Sequence, residues 1–156
     1  MAGHRERKEF AKNREKSYTK RSMNSNNHQK VLFVCMGNAI RSQIAEAFAK
    51  QLGGHKVEAY SAGVIPPKVI DPKTVEVMKE LEIDLSQAKP KGFFDLIQQE
   101  FEYVVALAPN LLCPFYPKKE KLYWRIKDPR GKPIKDFRQA RDEIRSLVKE
   151  FIEKIQ

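Results

Sequence analysis

The chain is poor in cysteine, tryptophan and long apolar runs. Of its 156 residues only two are cysteines, Cys35 and Cys113, and one is a tryptophan. So few cysteines exclude the disulfide framework that stabilises many small secreted domains. No apolar run approaches the roughly 18 residues that a membrane span requires, and no charged-then-apolar leader precedes Cys35. We therefore expect a cytoplasmic protein in which both cysteines are free thiols.

Acidic residues are scarce at the start of the chain. Residues 1–30 hold nine of the 30 Lys and Arg residues but only three of the 20 Asp and Glu residues, within a net charge of +10. Their few apolar side chains cannot offset the entropy of ordering the backbone. We predict a basic, disordered arm over residues 1–29 and one domain over residues 30–156. A solvated tail is the favoured interpretation of the arm, and contact with a polyanion is the alternative.

From residue 30 onward, apolar runs typical of buried strands alternate with amphipathic helical patterns. The predicted strands are residues 31–34, 57–61, 103–107 and 122–126. The predicted helices are residues 42–52, a helix that opens at Asp71-Pro72, and a long amphipathic helix at the end of the chain. Strands interleaved with helices predict a doubly wound, flavodoxin-like α/β domain with a four-stranded parallel sheet and helices on both faces.

The loop after the first strand is where such a domain binds its ligands. It runs from Cys35 to Ser42, and its backbone N–H groups and the following helix start form a nest for an oxyanion. Gly37 and Asn38 are the residue types that most easily adopt left-handed backbone angles. Arg41 adds a planar guanidinium matched to phosphate. The predicted phosphate-binding residues are Met36, Gly37, Asn38, Ala39, Ile40 and Arg41.

Within this nest, Cys35 is the predicted nucleophile. Comparable sites lower the pKa of a thiol from about 8.5 to roughly 3.5–7.5, so the thiolate is expected at neutral pH. Ser42 can donate its hydroxyl to the sulfur and stabilise it both before attack and as a leaving group. The alternative is that Cys35 is buried and inert while Ser42 only caps the helix.

These residues resemble the low-molecular-weight protein tyrosine phosphatase superfamily, which includes the thioredoxin-coupled arsenate reductases. The resemblance covers residues 30–156, and its motifs are residues 31–38, 41–47, 60–63, 75–80, 83–86 and Asp128-Pro129. It implies attack of Cys35 on phosphorus to give a cysteinyl-phosphate, which water then hydrolyses. Asp128 would protonate the leaving oxygen and later act as base. Our first prediction is hydrolysis of phosphotyrosine in a protein or of a small aryl phosphate.

Arsenate reduction with thioredoxin or glutathione is the alternative, because arsenate is also a tetrahedral oxyanion. Cys113, followed by Pro114, matches the second cysteine of the reductases' resolving pair, whereas Ala108 stands where the first is expected. Cys113 is thus a candidate resolving thiol, and packing is its other interpretation. Arg130 and Gly131 replace the tyrosines that usually follow the Asp-Pro of the phosphatases. A non-catalytic phosphate-binding module is a third hypothesis.

The sequence predicts no cofactor and no metal site. Some reductases of the family hold a potassium ion near the loop, and Asn38, Glu46 and Ser61 match part of that site. Lys89 and Lys91 stand where further oxygen ligands are expected. The resemblance therefore favours a lysine ammonium in place of the cation.

Overall fold

The computed structural model describes residues 28–155. Apart from its last two residues, the arm predicted for residues 1–29 lies outside this range, and the first strand already includes Gln29. No helix among the described residues is long and apolar enough to cross a membrane.

The described chain forms one four-stranded parallel sheet in the order β2-β1-β3-β4. The strands are β1 (Gln29–Cys35), β2 (Val57–Gly63), β3 (Tyr103–Ala106) and β4 (Glu120–Tyr123). The α-helices are α1 (Arg41–Gly53), α2 (Pro72–Lys79) and α3 (Ile134–Ile155), and short 3-10 helices span Gly54–Lys56 and Phe93–Leu96. The predicted doubly wound α/β fold is confirmed.

The start of α2 is built as its sequence predicts. Asp71 is the N-cap, its carboxylate accepts a hydrogen bond from the backbone N–H of Lys73 at 2.9 Å, and Pro72 takes the first helical position. This cap satisfies a backbone donor that the helix leaves unpaired, while proline has no N–H to lose there.

The fourth strand lies earlier than predicted. It spans Glu120–Tyr123 instead of residues 122–126, although Trp124 still donates to the carbonyl of Ala106 at 2.8 Å. The apolar alternation continues through Trp124 and Ile126, which are both buried. However, β4 is an edge strand paired only with β3, and β3 ends at Ala106. The pairing stops there because no neighbouring strand continues it.

Two clusters of buried side chains lie on opposite faces of the sheet. Alternate residues of β1 enter different clusters, Val31 and Phe33 the first and Leu32 and Val34 the second, as the two-residue period of a strand requires. The first cluster also takes the apolar stripes of α1 and α3, with Ile44, Phe48, Phe137, Ile144, Val148 and Ile152 among its members. This packing fixes α1 against the sheet and so holds the loop between β1 and α1.

Candidate active site

The loop from Cys35 to Arg41 occupies the carboxyl end of the sheet. Cys35 is the last residue of β1, a strand paired on both sides, and α1 begins at Arg41. Asn38 has a positive φ of 56°, as predicted. The same prediction is wrong for Gly37, which is absent from the residues with positive φ. Gly37 instead forms the floor of a surface cleft, where a side chain would enter the space above the loop.

The sulfur of Cys35 has two partners in the loop. The side chain is buried, and the backbone N–H of Asn38 donates to Sγ at 3.2 Å. Sγ lies 2.8 Å from Oγ of Ser42, which also accepts a hydrogen bond from Nδ2 of Asn38 at 2.8 Å. Because Oγ already accepts from Asn38, its own hydrogen is available for the sulfur. The predicted pairing of Cys35 with Ser42 is therefore present in the structure.

Asn38 also joins the loop to residues 89–91, the segment whose two lysines the family resemblance placed near this site. Its Oδ1 accepts from Nε2 of Gln43 at 2.9 Å and from the backbone N–H of Lys91 at 2.8 Å. Gln43 further donates to the carbonyl of Lys89 at 3.1 Å. Asn38 is fully buried, so these bonds satisfy polar atoms that water does not reach. Residues 89–91 carry no local pattern that would reveal this contact.

The end of β2 supports the loop from below. A Cβ added to Gly63 would lie 2.6 Å from the backbone N of Asn38 and 2.6 Å from the carbonyl carbon of Gly37. Only glycine permits this close approach of two backbones. The absence of a side chain at Gly63 thereby lets the Cys35 loop lie directly against the end of β2.

Arg41 is held by two backbone carbonyls that follow strands β3 and β4. Its Nη1 donates to the carbonyl oxygens of Leu107 at 2.8 Å and Ile126 at 3.1 Å, and its side chain is buried. Its Nη2 lies 3.5 Å from Oδ2 of Asp128. The fork is thus fixed by contacts remote in sequence, which leaves its other N–H groups for an anion.

The Asp128 loop is a tight turn directed at this site. The backbone N–H of Arg130 donates to Oδ1 of Asp128 at 3.0 Å, and the N–H of Lys132 donates to the carbonyl of Pro129 at 2.8 Å. Gly131 has a positive φ of 75°, which the third position of such a turn requires. The structure therefore brings Asp128 to the loop that holds Cys35, Arg41 and Ser42.

A cleft of about 360 Å³ opens beside the loop. We call it the entrance cleft, and it is lined by Gly37, Ala39, Ile40, Ile65, Pro66, Pro67, Val69, Asp71 and Arg130. Its apolar wall is formed by Ile65, Pro66, Pro67 and Val69, of which Ile65 and Val69 are exposed. Arg130 is the one arginine or lysine among these lining residues.

A lysine side chain lies at the cation position that the family resemblance implies. Nζ of Lys91 is 3.5 Å from Oε1 of Glu46 and 3.5 Å from Oγ of Ser61, and Ser61 donates to the same carboxylate oxygen at 3.1 Å. An ammonium group already supplies the positive charge between these oxygens. The residues present therefore do not fit a potassium ion in addition to this ammonium group.

Cys113 lies away from the Cys35 loop. It packs against the second cluster and lines a surface groove with Phe93, Phe94, Ile97, Leu112 and Pro114. Cys35 follows the alternation of Val31 and Phe33 and so belongs to the opposite side of the sheet. Both thiols are free. A bond between them would require movement of the irregular segment 111–117.

The chain is similar to proteins of two enzyme classes, phosphotyrosine protein phosphatases and arsenate reductases. The family model described as low molecular weight phosphotyrosine protein phosphatase matches residues 30–156. An arsenate reductase 2 from Staphylococcus epidermidis is 36% identical over 124 residues, which are 78% of this chain and 94% of that protein.

Solved structures give the same result. An arsenate reductase in its phosphate-binding state superimposes with a TM-score of 0.75 at 31% identity, covering 82% of this chain and 99% of that one. A thioredoxin-dependent arsenate reductase from Corynebacterium glutamicum superimposes with a TM-score of 0.72 at 32% identity, covering 87% of this chain and 66% of that one.

Proposed function

The chain belongs to the low molecular weight phosphotyrosine protein phosphatase family, and we propose that within this family it is an arsenate reductase with Cys35 as nucleophile. The sequence alone favoured hydrolysis of phosphotyrosine or a small aryl phosphate, with arsenate reduction as the alternative. The observation that carries the proposal is the 36% identity to an arsenate reductase over 124 residues, which cover 94% of that protein. The buried sulfur and Arg41 supply the oxyanion site that this reaction needs.

The proposed first step is attack of the Cys35 thiolate on arsenic. A sulfur–arsenic bond forms, and an arsenate oxygen leaves as water after taking up protons. The loop N–H groups and Arg41 hold the remaining oxygens. Ser42 donates to the sulfur before the attack. The same residues would hold a phosphate group, so this step does not separate the two activities.

In the second step another thiol attacks the sulfur of the adduct. A disulfide forms, the sulfur–arsenic bond breaks, and its electron pair stays with arsenic, which leaves as arsenite. Arsenic is reduced by two electrons while two thiols are oxidised to one disulfide. A thioredoxin- or glutathione-type thiol then reduces that disulfide, and a reducing cytoplasm suits this chemistry.

The second thiol has two sources. Cys113 can supply it if segment 111–117 moves, because Cys113 packs with the second cluster in the structure described. An external thiol of the glutathione or thioredoxin class can supply it without such a movement. Ala108 occupies the position of the family's first resolving cysteine, is buried and has no sulfur, which favours the external thiol.

Hydrolysis of phosphotyrosine or a small aryl phosphate is the second candidate function. Its support is the position of Asp128, whose Oδ2 lies 3.5 Å from Nη2 of Arg41 at the same site. A carboxyl group there can protonate a leaving oxygen and then activate water. In that reaction water attacks phosphorus, and no thiol is oxidised.

The test is arsenate-dependent NADPH oxidation by the purified chain. The assay is coupled in parallel to thioredoxin with its reductase and to glutathione with glutaredoxin and glutathione reductase. Hydrolysis of a phosphotyrosine peptide is measured beside it. The proposal expects arsenate turnover that Cys35→Ser abolishes. If Cys113→Ser also loses arsenate turnover, Cys113 is the second thiol. If Cys113→Ser keeps full arsenate turnover, the second thiol is external. Peptide hydrolysis without arsenate turnover in either coupling contradicts the proposal and supports the phosphatase.

A further inference from the structure

We propose that Arg130 is a second anion-binding guanidinium at the mouth of the Cys35 loop, and that it favours inorganic oxyanions over phosphate monoesters. The inference deepens the proposed function, on which it rests only in that both place a tetrahedral oxyanion in the loop. It concerns binding and selectivity, and Arg130 takes no part in the proton or electron transfers described above.

The backbone of Arg130 is fixed. Its N–H donates to Oδ1 of Asp128, and the turn from Pro129 to Lys132 is closed by a hydrogen bond of 2.8 Å. Pro129 is buried, and Nζ of Lys73 donates to the carbonyl of Lys132 at 2.7 Å. A side chain that leaves such a turn has a defined origin relative to the loop.

The guanidinium lies above the floor of the entrance cleft. A Cβ added to Gly37 would lie 3.6 Å from Nη2 of Arg130 and 3.6 Å from Cδ of Pro67. Gly37 belongs to the Cys35 loop, so Nη2 lies beside the backbone of that loop in the entrance cleft. Arg130 therefore faces the apolar wall of the cleft across its narrow floor.

The donors of this guanidinium are largely free. Its Nε lies 3.9 Å from Oδ2 of Asp128, a long ionic contact. Within residues 28–155, neither Nη1 nor Nη2 of Arg130 donates a hydrogen bond, whereas both atoms of Arg41 have partners. An arginine fork presents planar donors that match two oxygens of a tetrahedral anion.

The position of Arg130 bears on selectivity because nucleophilic attack on a tetrahedral oxyanion is in line. Three oxygens lie in the loop, and the fourth lies opposite the Cys35 sulfur and points out of the nest. In arsenate or inorganic phosphate this oxygen accepts hydrogen bonds, so it can bind Arg130. In a monoester the same oxygen carries the organic group. That group must pass the Arg130 guanidinium, and it separates the guanidinium from water.

The expected effect is moderate, because the Arg130 side chain is 65% exposed. A charge-assisted hydrogen bond at a partly solvated site changes binding by roughly 5- to 30-fold. Added salt should reduce this factor, since exposed charges are screened.

The experiment measures protection of Cys35 from iodoacetamide by inorganic phosphate and by arsenate. A Cys113→Ser background leaves Cys35 as the single thiol, and each protection curve is scaled to the unprotected alkylation rate of the same variant. Arg130→Gln removes the charge and Arg130→Lys keeps it without the planar fork. Arg125→Gln is the matched control, because Arg125 is an exposed arginine outside the entrance cleft.

We expect Arg130→Gln to raise the concentration of phosphate or arsenate that gives half protection by roughly 5- to 30-fold. Arg130→Lys should lie between wild type and Arg130→Gln, and Arg125→Gln should stay within about twofold of wild type. In the same proteins, Arg130→Gln should lower kcat/KM for p-nitrophenyl phosphate by less than the factor measured for phosphate and arsenate, or raise it. Unchanged protection overturns the inference, and so does an equal loss for the aryl phosphate.

This test separates the inference from the proposed function, because protection requires no turnover. If the chain does not reduce arsenate but its protection depends on Arg130, the proposed function fails and the inference stands. If Arg130→Gln reduces arsenate with an unchanged KM and unchanged protection, the proposed function stands and the inference is wrong.

Discussion

Replacing Asn38 with alanine should destabilise the fold and disorganise the Cys35 loop together. The change removes the acceptor of the Lys91 N–H and one of the two acceptors of the Gln43 amide. It also removes the donor to Ser42. Alanine would in addition have to adopt the φ of 56° that asparagine tolerates.

The size of the effect follows from these terms. A buried donor left without an acceptor costs about 1–3 kcal/mol, and a left-handed alanine costs about 1–2 kcal/mol. Gln43 keeps its bond to the carbonyl of Lys89 but loses the partner of its second amide N–H. We therefore count two unsatisfied donors, this N–H and the backbone N–H of Lys91. The expected loss in the free energy of unfolding is then about 3–8 kcal/mol.

Asn110→Ala is the matched control. Asn110 also has a left-handed backbone, with a φ of 57°, but its side chain is exposed and makes no hydrogen bond within the described residues. It should lose only the backbone contribution, about 1–2 kcal/mol. The difference between the two variants isolates the hydrogen bonds of the Asn38 side chain.

Urea unfolding followed by fluorescence measures both variants. Trp124 is the single tryptophan and is buried in the first cluster, so its emission reports loss of the core. Equal destabilisation by Asn38→Ala and Asn110→Ala would refute the role given to the Asn38 side chain. A shallower denaturant slope in one variant would show instead that its unfolding is not two-state.

Three further changes test other parts of the structure. Gly63→Ala places a Cβ 2.6 Å from loop backbone atoms, so it should lower the free energy of unfolding in urea by about 1–3 kcal/mol and weaken phosphate protection of Cys35. A variant that is as stable and as well protected as wild type contradicts the close approach. Ser42→Ala should lower kcat about 10- to 100-fold, since a hydrogen bond to a charged group is lost, with unfolding as the control measurement. Arg138, through its hydrogen bond, holds the pKa of Glu80 below its ordinary value of 4.5. The folded state thus favours the Glu80 carboxylate, a stabilisation present above pH 4.5 and lost as the pH falls below it. Glu80→Gln should flatten that part of the stability profile, measured by urea unfolding at a series of pH values.

Most of the fold and the core of the site follow from residues that are close together in sequence. Cys35, Arg41 and Ser42 share one short loop, so a strand that ends at Cys35 and a helix that begins at Arg41 bring them together. The N-cap at Asp71 is equally local. Hydrophobic periodicity identified the buried strands because their neighbours cover both faces.

The contacts that hold the site in place are not local. Arg41 is oriented by the carbonyls of Leu107 and Ile126, and Asn38 by the backbone of Lys91. A backbone carbonyl or N–H carries no side-chain signature, so no motif marks it. Gly37 illustrates a different limit, because its residue type permits a left-handed backbone without requiring one. Gly37 instead lacks a side chain at the place where one would project into the entrance cleft.

The two candidate activities share their first step, and this decides which substitutions can separate them. Attack by Cys35 on phosphorus or arsenic needs the same loop, the same Arg41 fork and the same Ser42 hydroxyl, so changes there impair both. The reactions diverge at the adduct, where water attacks phosphorus or a thiol attacks sulfur. As a proton donor to the leaving oxygen, Asp128 can assist the first step of both reactions. At the adduct it can assist only hydrolysis, by activating water, and a second thiol can act only in arsenate reduction. An Asp128→Asn variant whose hydrolysis falls much further than its arsenite release would therefore separate the two reactions.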